Sequence, residues 1–209
     1  MTVTEFEAVP AVEHAPRTPG LVVMKFGGTS VADPQKIKDV ARRLVEMQAA
    51  GNRVVAVLSA RGKTTDELVA QAMEISERPV AREMDMLLST GERISCALCA
   101  MAIHDMGHNA ISLTGSQAGI VTDTVHGRAK IVDVRARRIH EALDQDKIVL
   151  VAGFQGVSTD FDITTLGRGG SDTTAVVSEP PRPSVVISWP VETPWKPATS
   201  TIFPSSNAW

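Results

Sequence analysis

The chain has 209 residues, 43% of them hydrophobic, a formal net charge of -3 and a pI near 6.0. That length buries one good-sized α/β core and leaves little room for two domains. The mildly acidic balance offers no basic footprint for nucleic acid or an anionic membrane surface, so small molecules are the expected partners.

Residues 1–20 are acidic, carry three prolines and lack both a basic start and an apolar centre. They read as a flexible leader rather than a secretory signal. No apolar run approaches the length of a membrane span, and a cytoplasmic location is expected. The short apolar run Leu21–Phe26 suits a buried strand. Asp33-Pro34 then signals a helix start, and Ile37, Val40, Ala41, Leu44 and Val45 recur at helical spacing until Gly51. Arg53–Leu58 is a second buried strand, followed by a polar loop over 59–65.

Leu68, Val69, Ala72 and Ile75 mark the next helix, and residues 94–103 a longer one. Cys96 and Cys99, the only cysteines, fall inside the helical pattern Ile94, Ala97, Leu98, Met101 and Ala102. They read as reduced thiols packed in a core rather than a redox pair or half a zinc site. Further strands are expected over 109–113 and 147–152, with a helix carrying Ile139, Ala142 and Leu143 between them. Repeated strand, loop and helix units predict an α/β fold, a three-layer α/β/α sandwich with a mainly parallel sheet, over residues 21–177. Ligands in such sheets bind at the carboxyl ends of the strands.

Two glycine loops stand out. Lys25-Phe26-Gly27-Gly28-Thr29-Ser30-Val31 closes the first strand. Thr164-Thr165-Leu166-Gly167-Arg168-Gly169-Gly170-Ser171-Asp172 places one guanidinium and one carboxylate around glycines ahead of a hydroxyl-rich helix start. Glycine N–H groups and a helix N-terminus hold anions, and an arginine forks onto a carboxylate. Neither loop is a Walker A motif. Together with Leu87-Leu88-Ser89-Thr90-Gly91-Glu92, Ser112-Leu113-Thr114-Gly115-Ser116-Gln117-Ala118-Gly119-Ile120 and Val151-Ala152-Gly153-Phe154-Gln155-Gly156, these blocks resemble the aspartokinase family. The resemblance covers roughly residues 21–176.

That resemblance implies transfer of the γ-phosphoryl group of ATP, with Mg²⁺, to the side-chain carboxylate of L-aspartate, the entry step toward lysine, threonine and methionine. The attacking carboxylate is already ionised at neutral pH, so positioning and charge cancellation are what such an enzyme supplies. By resemblance Lys25 reaches the phosphates, with Phe26, Gly27, Gly28 and Ser59 on the nucleotide side. Arg168 clamps a carboxylate of aspartate; Thr64, Thr65, Gly169, Gly170 and Ser171 add contacts, and Phe154 walls the pocket. Asp172 lies beside the reacting groups and orients the lysine and metal.

Glu92 takes the substrate's ammonium by resemblance, although spacing alone reads Ser89-x-x-Glu92 as a capping box for a helix beginning near Ile94. Asp172 likewise suits the first turn of any helix, and Phe154 a core position at a strand end. No residues show metal-ligand spacing; His14, His104, His108, His126 and His140 are isolated and are assigned no chemistry. Arg135, Arg137 and Arg138 read as a solvated helix face. A homo-oligomer is compatible with the sequence.

Residues 178–209 hold seven of the twelve prolines and all three tryptophans, and no glycine. They read as a Pro/Ser/Trp-rich, disordered tail that interrupts the helix begun near Asp172. A frameshifted continuation is one expectation, with an unpaired sheet edge as its consequence. The alternative to an aspartate kinase is therefore a catalytically incomplete fragment that binds aspartate or associates with a full-length kinase.

Overall fold

The computed structural model describes residues 20–167, Gly170, Ser171, Thr174 and the backbone of residues 185–188. Its elements run β1 (Leu21–Phe26), α1 (Pro34–Ala49), β2 (Arg53–Leu58), α2 (Thr64–Ile75) and α3 (Ala81–Asp105). They continue with β3 (Ala110–Leu113), β4 (Ile120–Thr122), β5 (Ile131–Val134) and α4 (Arg137–Asp144). β6 (Ile148–Ala152), β7 (Gln155–Ser158), β8 (Ile163–Thr165) and β9 (Val185–Ser188) complete the order.

The main sheet has the order β3-β6-β2-β1-β9, and all its pairs are parallel. Its central strands β1, β2 and β6 are Val-rich and largely buried on both faces, as parallel strands covered by helices must be. On one face Val22, Met24, Phe26, Val54, Ala56, Leu58, Ile148 and Leu150 pack against α1 and α3. The alternate residues Val23, Val55, Val57, Val149 and Val151 pack against α4 and the chain around Ala118 and Ile120. The predicted α/β/α layering is thus present. α1 starts as its sequence signals: Asp33 accepts a hydrogen bond from the Lys36 N–H at 2.9 Å, and Pro34 sits in the first turn, where no N–H is needed.

Four findings depart from expectation. The helix predicted over 94–103 begins at Ala81, so Ser89 and Glu92 lie in its interior and form no capping box. The reason is that the first half of α3 buries a polar stripe, Asp85, Ser89, Glu92 and Ser95, and hydrophobic periodicity does not register a polar stripe. α2 forms where expected but buries none of its residues fully, and Ile75 is 89% exposed. A second, mixed sheet of order β5-β4-β7-β8 was not foreseen; its strands are three or four residues long, too short for a periodic signal.

The fourth departure concerns the segment read as a disordered tail. Residues 185–188 of it form β9, which pairs with β1 in the register Val22↔Val185 to Lys25↔Ser188. The β1 edge is therefore paired, because Val-Val-Ile-Ser is β-prone and a parallel edge offers a row of backbone partners. The remainder of 178–209 and residues 1–19 lie outside the described residues.

Cys96 and Cys99 are buried free thiols in the core, as expected. Burial pushes the Cys99 thiol up to about 12 and Cys96 well above its ordinary range, so both stay protonated. α3 has the length and apolarity of a membrane span, yet Cys96, Cys99, Ala100 and Ile103 pack it into the core beside the sheet.

Candidate functional site

Three loops leave the main sheet side by side. β1, β2 and β6 are neighbours whose ends are in register, Phe26↔Leu58 and Leu58↔Ala152, so the chain after each emerges at one sheet edge. Backbone bonds lace these exits together: the Ser59 N–H donates to the Phe26 carbonyl at 3.0 Å and the Gly153 N–H to the Leu58 carbonyl at 3.1 Å. This is the carboxyl end of a parallel sheet, where the fold class places ligands.

The loop after β1 interlocks with the loop after β2. The Gly62 N–H donates to the Gly28 carbonyl at 3.0 Å, and a Cβ on Gly28 would lie 2.6 Å from the Ala60 carbonyl oxygen. Arg61 donates from Nη2 to the Ala32 carbonyl at 3.3 Å, clasping the same two segments. Lys25 is half-buried at the end of β1; a Cβ on Gly27 would lie 3.9 Å from its Nζ, so the ammonium lies over the glycine turn. Phe26 was expected on the nucleotide side, but its side chain is 1% exposed and belongs to the core facing α1 and α3. Only its backbone reaches the site, because strand alternation turns residue 26 inward.

Gly28→Ala tests the interlock. The new methyl would force the two loops apart and break the Gly62 to Gly28 bond, for an expected loss of roughly 1 to 3 kcal/mol. Chemical denaturation measures it; stability equal to wild type would show that the loops are not wedged together.

Glu92 projects from α3 beneath this junction. Its Oε1 accepts the Ala60 N–H at 3.3 Å, while its Oε2 is buried and has no hydrogen-bond partner among the described residues. Burial pushes its carboxyl from the ordinary 4.5 up to about 7, opposed in part by the backbone N–H groups of Glu92 and Ala60 and by Arg93. An acid with an unpaired buried oxygen is costly and points to a cationic or hydrogen-bond-donating ligand. Gly91, the residue before it, packs its backbone against Ala60 and the Thr64 methyl group. Thr64 and Thr65 open α2, both half-buried.

The second glycine loop closes the far side. Ser59 Oγ donates to Ser171 Oγ at 3.3 Å, and Ser171 sits so close to Gly153 that a Cβ there would lie 2.7 Å from its Oγ. A Cβ on Gly170 would lie 3.2 Å from the Phe154 ring. Phe154 is half-buried and adopts φ 66°, a left-handed conformation that a bulky residue takes only when its surroundings impose it. Gly170, Ser171 and Thr174 are helical, and the Thr174 hydroxyl donates to the Gly170 carbonyl at 2.8 Å. Arg168, Gly169 and Asp172 lie outside the described residues.

Of the predicted site, Lys25, Gly27, Gly28, Ser59, Thr64, Glu92, Phe154, Gly170 and Ser171 thus form one linked set. Sequence reading missed a second buried acid, Asp85, together with His126 and Thr165, and also the Gln155 side chain, which donates to the Ser89 carbonyl at 2.9 Å. A signal existed: Asp85, Ser89 and Glu92 recur at i, i+4 and i+7, one helix face. Arg135 and Arg137 pair with Asp133 and Glu141 at the surface, the solvated role expected of them.

Comparison with known proteins follows the same lines. The chain is 62% identical to an aspartokinase of Mycolicibacterium smegmatis over 157 residues, 75% of this chain and 37% of the relative. An aspartokinase of Geobacillus stearothermophilus is 59% identical over 157 residues, again 75% of this chain and 39% of the relative. The chain therefore spans well under half the length of these curated relatives. Among solved structures, aspartate kinase from Synechocystis superposes with a TM-score of 0.63 at 46% identity, covering 75% of this chain and 25% of that one. E. coli aspartokinase III in complex with aspartate and ADP superposes at 0.65 and 26% identity, covering 76% and 46%. The model of the amino acid kinase family matches residues 20–177, a span that takes in every described strand except β9; the chain belongs to the amino acid kinase family.

Proposed function

We propose that this domain binds L-aspartate and ATP and carries the chemistry of an aspartate kinase. The observation that bears most weight is the orphan Oε2 of Glu92, a buried acceptor next to two interlocked glycine loops. An α-ammonium group fits it in charge and in donor number. In this reading Arg168 forks onto the α-carboxylate of aspartate, with Gly169, Gly170, Ser171 and the Phe154 ring enclosing the substrate. Lys25, Gly27, Gly28 and Ser59 face the phosphates, and Asp172 orients Lys25.

The side-chain carboxylate of aspartate then attacks the γ-phosphorus in line. A P–O bond forms to the carboxylate, the bond to the bridging oxygen breaks, and ADP leaves with the electron pair. The protein's part is to hold two anions together and offset their charge, which Lys25 and the loop N–H groups do. Among the described residues no group of three or more His, Cys, Asp or Glu forms a metal cage. Mg²⁺ in this reading arrives on the phosphates of the nucleotide, the usual arrangement for this ion. A cytoplasmic enzyme of amino-acid biosynthesis, acting as a homo-oligomer, accords with it.

The pH dependence of binding tests the ammonium assignment. Glu92 must be ionised to pair with the ammonium, and burial holds it at about 7 in the free protein. At pH 6 binding has to release a proton, so aspartate affinity is expected to be about tenfold weaker than at pH 8. Calorimetry in buffers of different ionisation enthalpy reads both the affinity and the proton; equal affinity without proton release would remove Glu92 from the site.

A second reading is that the 209-residue chain binds aspartate without turning it over. It is favoured by the residues assigned here, which serve aspartate and the phosphates while none is assigned to the adenosine. Aspartate-dependent ADP formation separates the two: turnover supports the kinase, and binding without turnover supports the incomplete fragment.

A further inference from the structure

We propose that Asp85 is a positioning residue for the aspartate site, holding β8, the strand that precedes the second glycine loop in sequence, at a fixed distance from Glu92. Asp85 is 0% exposed and lies on α3, two turns before Glu92 on the same face. A carboxylate so buried persists only when its lone pairs are filled. Its donors come from two separate segments. His126 donates from Nδ1 at 2.8 Å, and the Gly127 N–H reaches both oxygens at 3.0 and 3.1 Å. The Thr165 hydroxyl, on β8, donates to Oδ1.

Those segments are themselves joined, since the Ala129 N–H donates to the Thr165 carbonyl at 2.9 Å. β8 is also held from its other side, where the Thr122 and Thr164 hydroxyls share a hydrogen bond of 2.6 Å and the Leu166 N–H donates to the Phe154 carbonyl at 2.8 Å. Arg168 follows Thr165 by three residues in sequence.

One face of α3 therefore serves three clients on successive turns. Asp85 holds β8, the Ser89 carbonyl receives Gln155 from β7, and Glu92 holds the loop after β2 through the Ala60 N–H. A helix is stiff, and seven residues span about 10 Å of it. The separation between the acid that would take the ammonium and the strand that leads in sequence to Arg168 is set by that span. A substrate that must bridge both is measured against it.

This inference rests on the aspartate reading for its consequence but not for its geometry, and the experiment separates the two. Asp85→Asn and Thr165→Val are made in the 209-residue chain, and amide hydrogen exchange is followed together with calorimetric aspartate binding. Both variants are expected to speed exchange about tenfold or more at Gly127, Ala129 and Leu166 while the amides of β1, β2, β6 and the second half of α3 keep wild-type protection. Aspartate dissociation constants are expected to rise about ten- to a hundredfold, with nucleotide binding unchanged. Loss of protection throughout the main sheet, or exchange and aspartate binding both equal to wild type, would overturn the proposal. If Asp85→Asn does not fold, Thr165→Val, which removes a single donor, carries the same readout. A wild-type chain that does not bind aspartate would sink the proposed substrate, while the exchange pattern would still decide the role of Asp85.

Discussion

Replacing Glu92 by glutamine is expected to make the free protein more stable at pH 8 and at the same time unable to hold aspartate. The acid is 4% exposed, and its carboxyl is raised from 4.5 to about 7 chiefly by burial. A carboxyl raised in the folded state favours folding when protonated. Its contribution is fully present below 4.5, falls as the pH rises through about 7, and is absent above that. The difference corresponds to about 3 kcal/mol across the window. Glutamine keeps the acceptor for the Ala60 N–H and never ionises, so the slope of stability against pH between 5 and 7 should flatten. Denaturant midpoints at pH 5, 6, 7 and 8 measure this. Loss of the charge that would pair the substrate ammonium is expected to weaken aspartate binding by about 2 to 5 kcal/mol, roughly 30- to 5000-fold. A variant that kept its aspartate affinity, or one whose stability still fell with pH, would show that Glu92 does not carry the buried charge.

Gly119→Ala is expected to be among the most damaging glycine substitutions in the described domain. Gly119 has φ 87°, and a Cβ there would lie 2.0 Å from the carbonyl oxygen of Arg135, with no flexible side chain to give way. The Arg135 N–H also donates to the Gly119 carbonyl at 2.8 Å, the bond that sets β4 against the end of β5. A left-handed alanine costs about 1 to 2 kcal/mol and forced overpacking a further 1 to 3, so a loss of about 2 to 5 kcal/mol is expected. The expected result is a lower denaturant midpoint at unchanged slope. A loss under about 0.5 kcal/mol, the range of ordinary surface changes, would mean that the β4 to β5 connection yields easily.

Much of the candidate site was legible in the sequence. The alternation of apolar runs and helical stripes placed β1, α1, β2, β3, α4 and β6, because each of these buries apolar residues at the period of its own geometry. Lys25, Gly27 and Gly28 stood out because glycines directly after an apolar run mark a strand end where backbone can approach an anion. The role of Glu92 could not be read the same way. Ser89-x-x-Glu92 has the spacing of a cap, and only the position of Ala81 as the first helical residue rules the cap out.

What the sequence by itself determined, then, are the features written in local physics: the α/β alternation, the Asp33-Pro34 helix start, the strand-end glycines and the packed cysteines of α3. What only the tertiary structure decided are the features written in burial and long-range pairing. Asp85 and His126 look like surface residues until the fold brings them, 41 positions apart, to 2.8 Å. Phe26 looks available to a nucleotide until the sheet turns it into the core. β9 looks like part of a Pro/Ser/Trp-rich tail until it finds the edge of β1. The physical reason is common to all three. Periodicity reports which face of an element is apolar, whereas a buried polar network or an added edge strand depends on partners that the chain brings together only on folding.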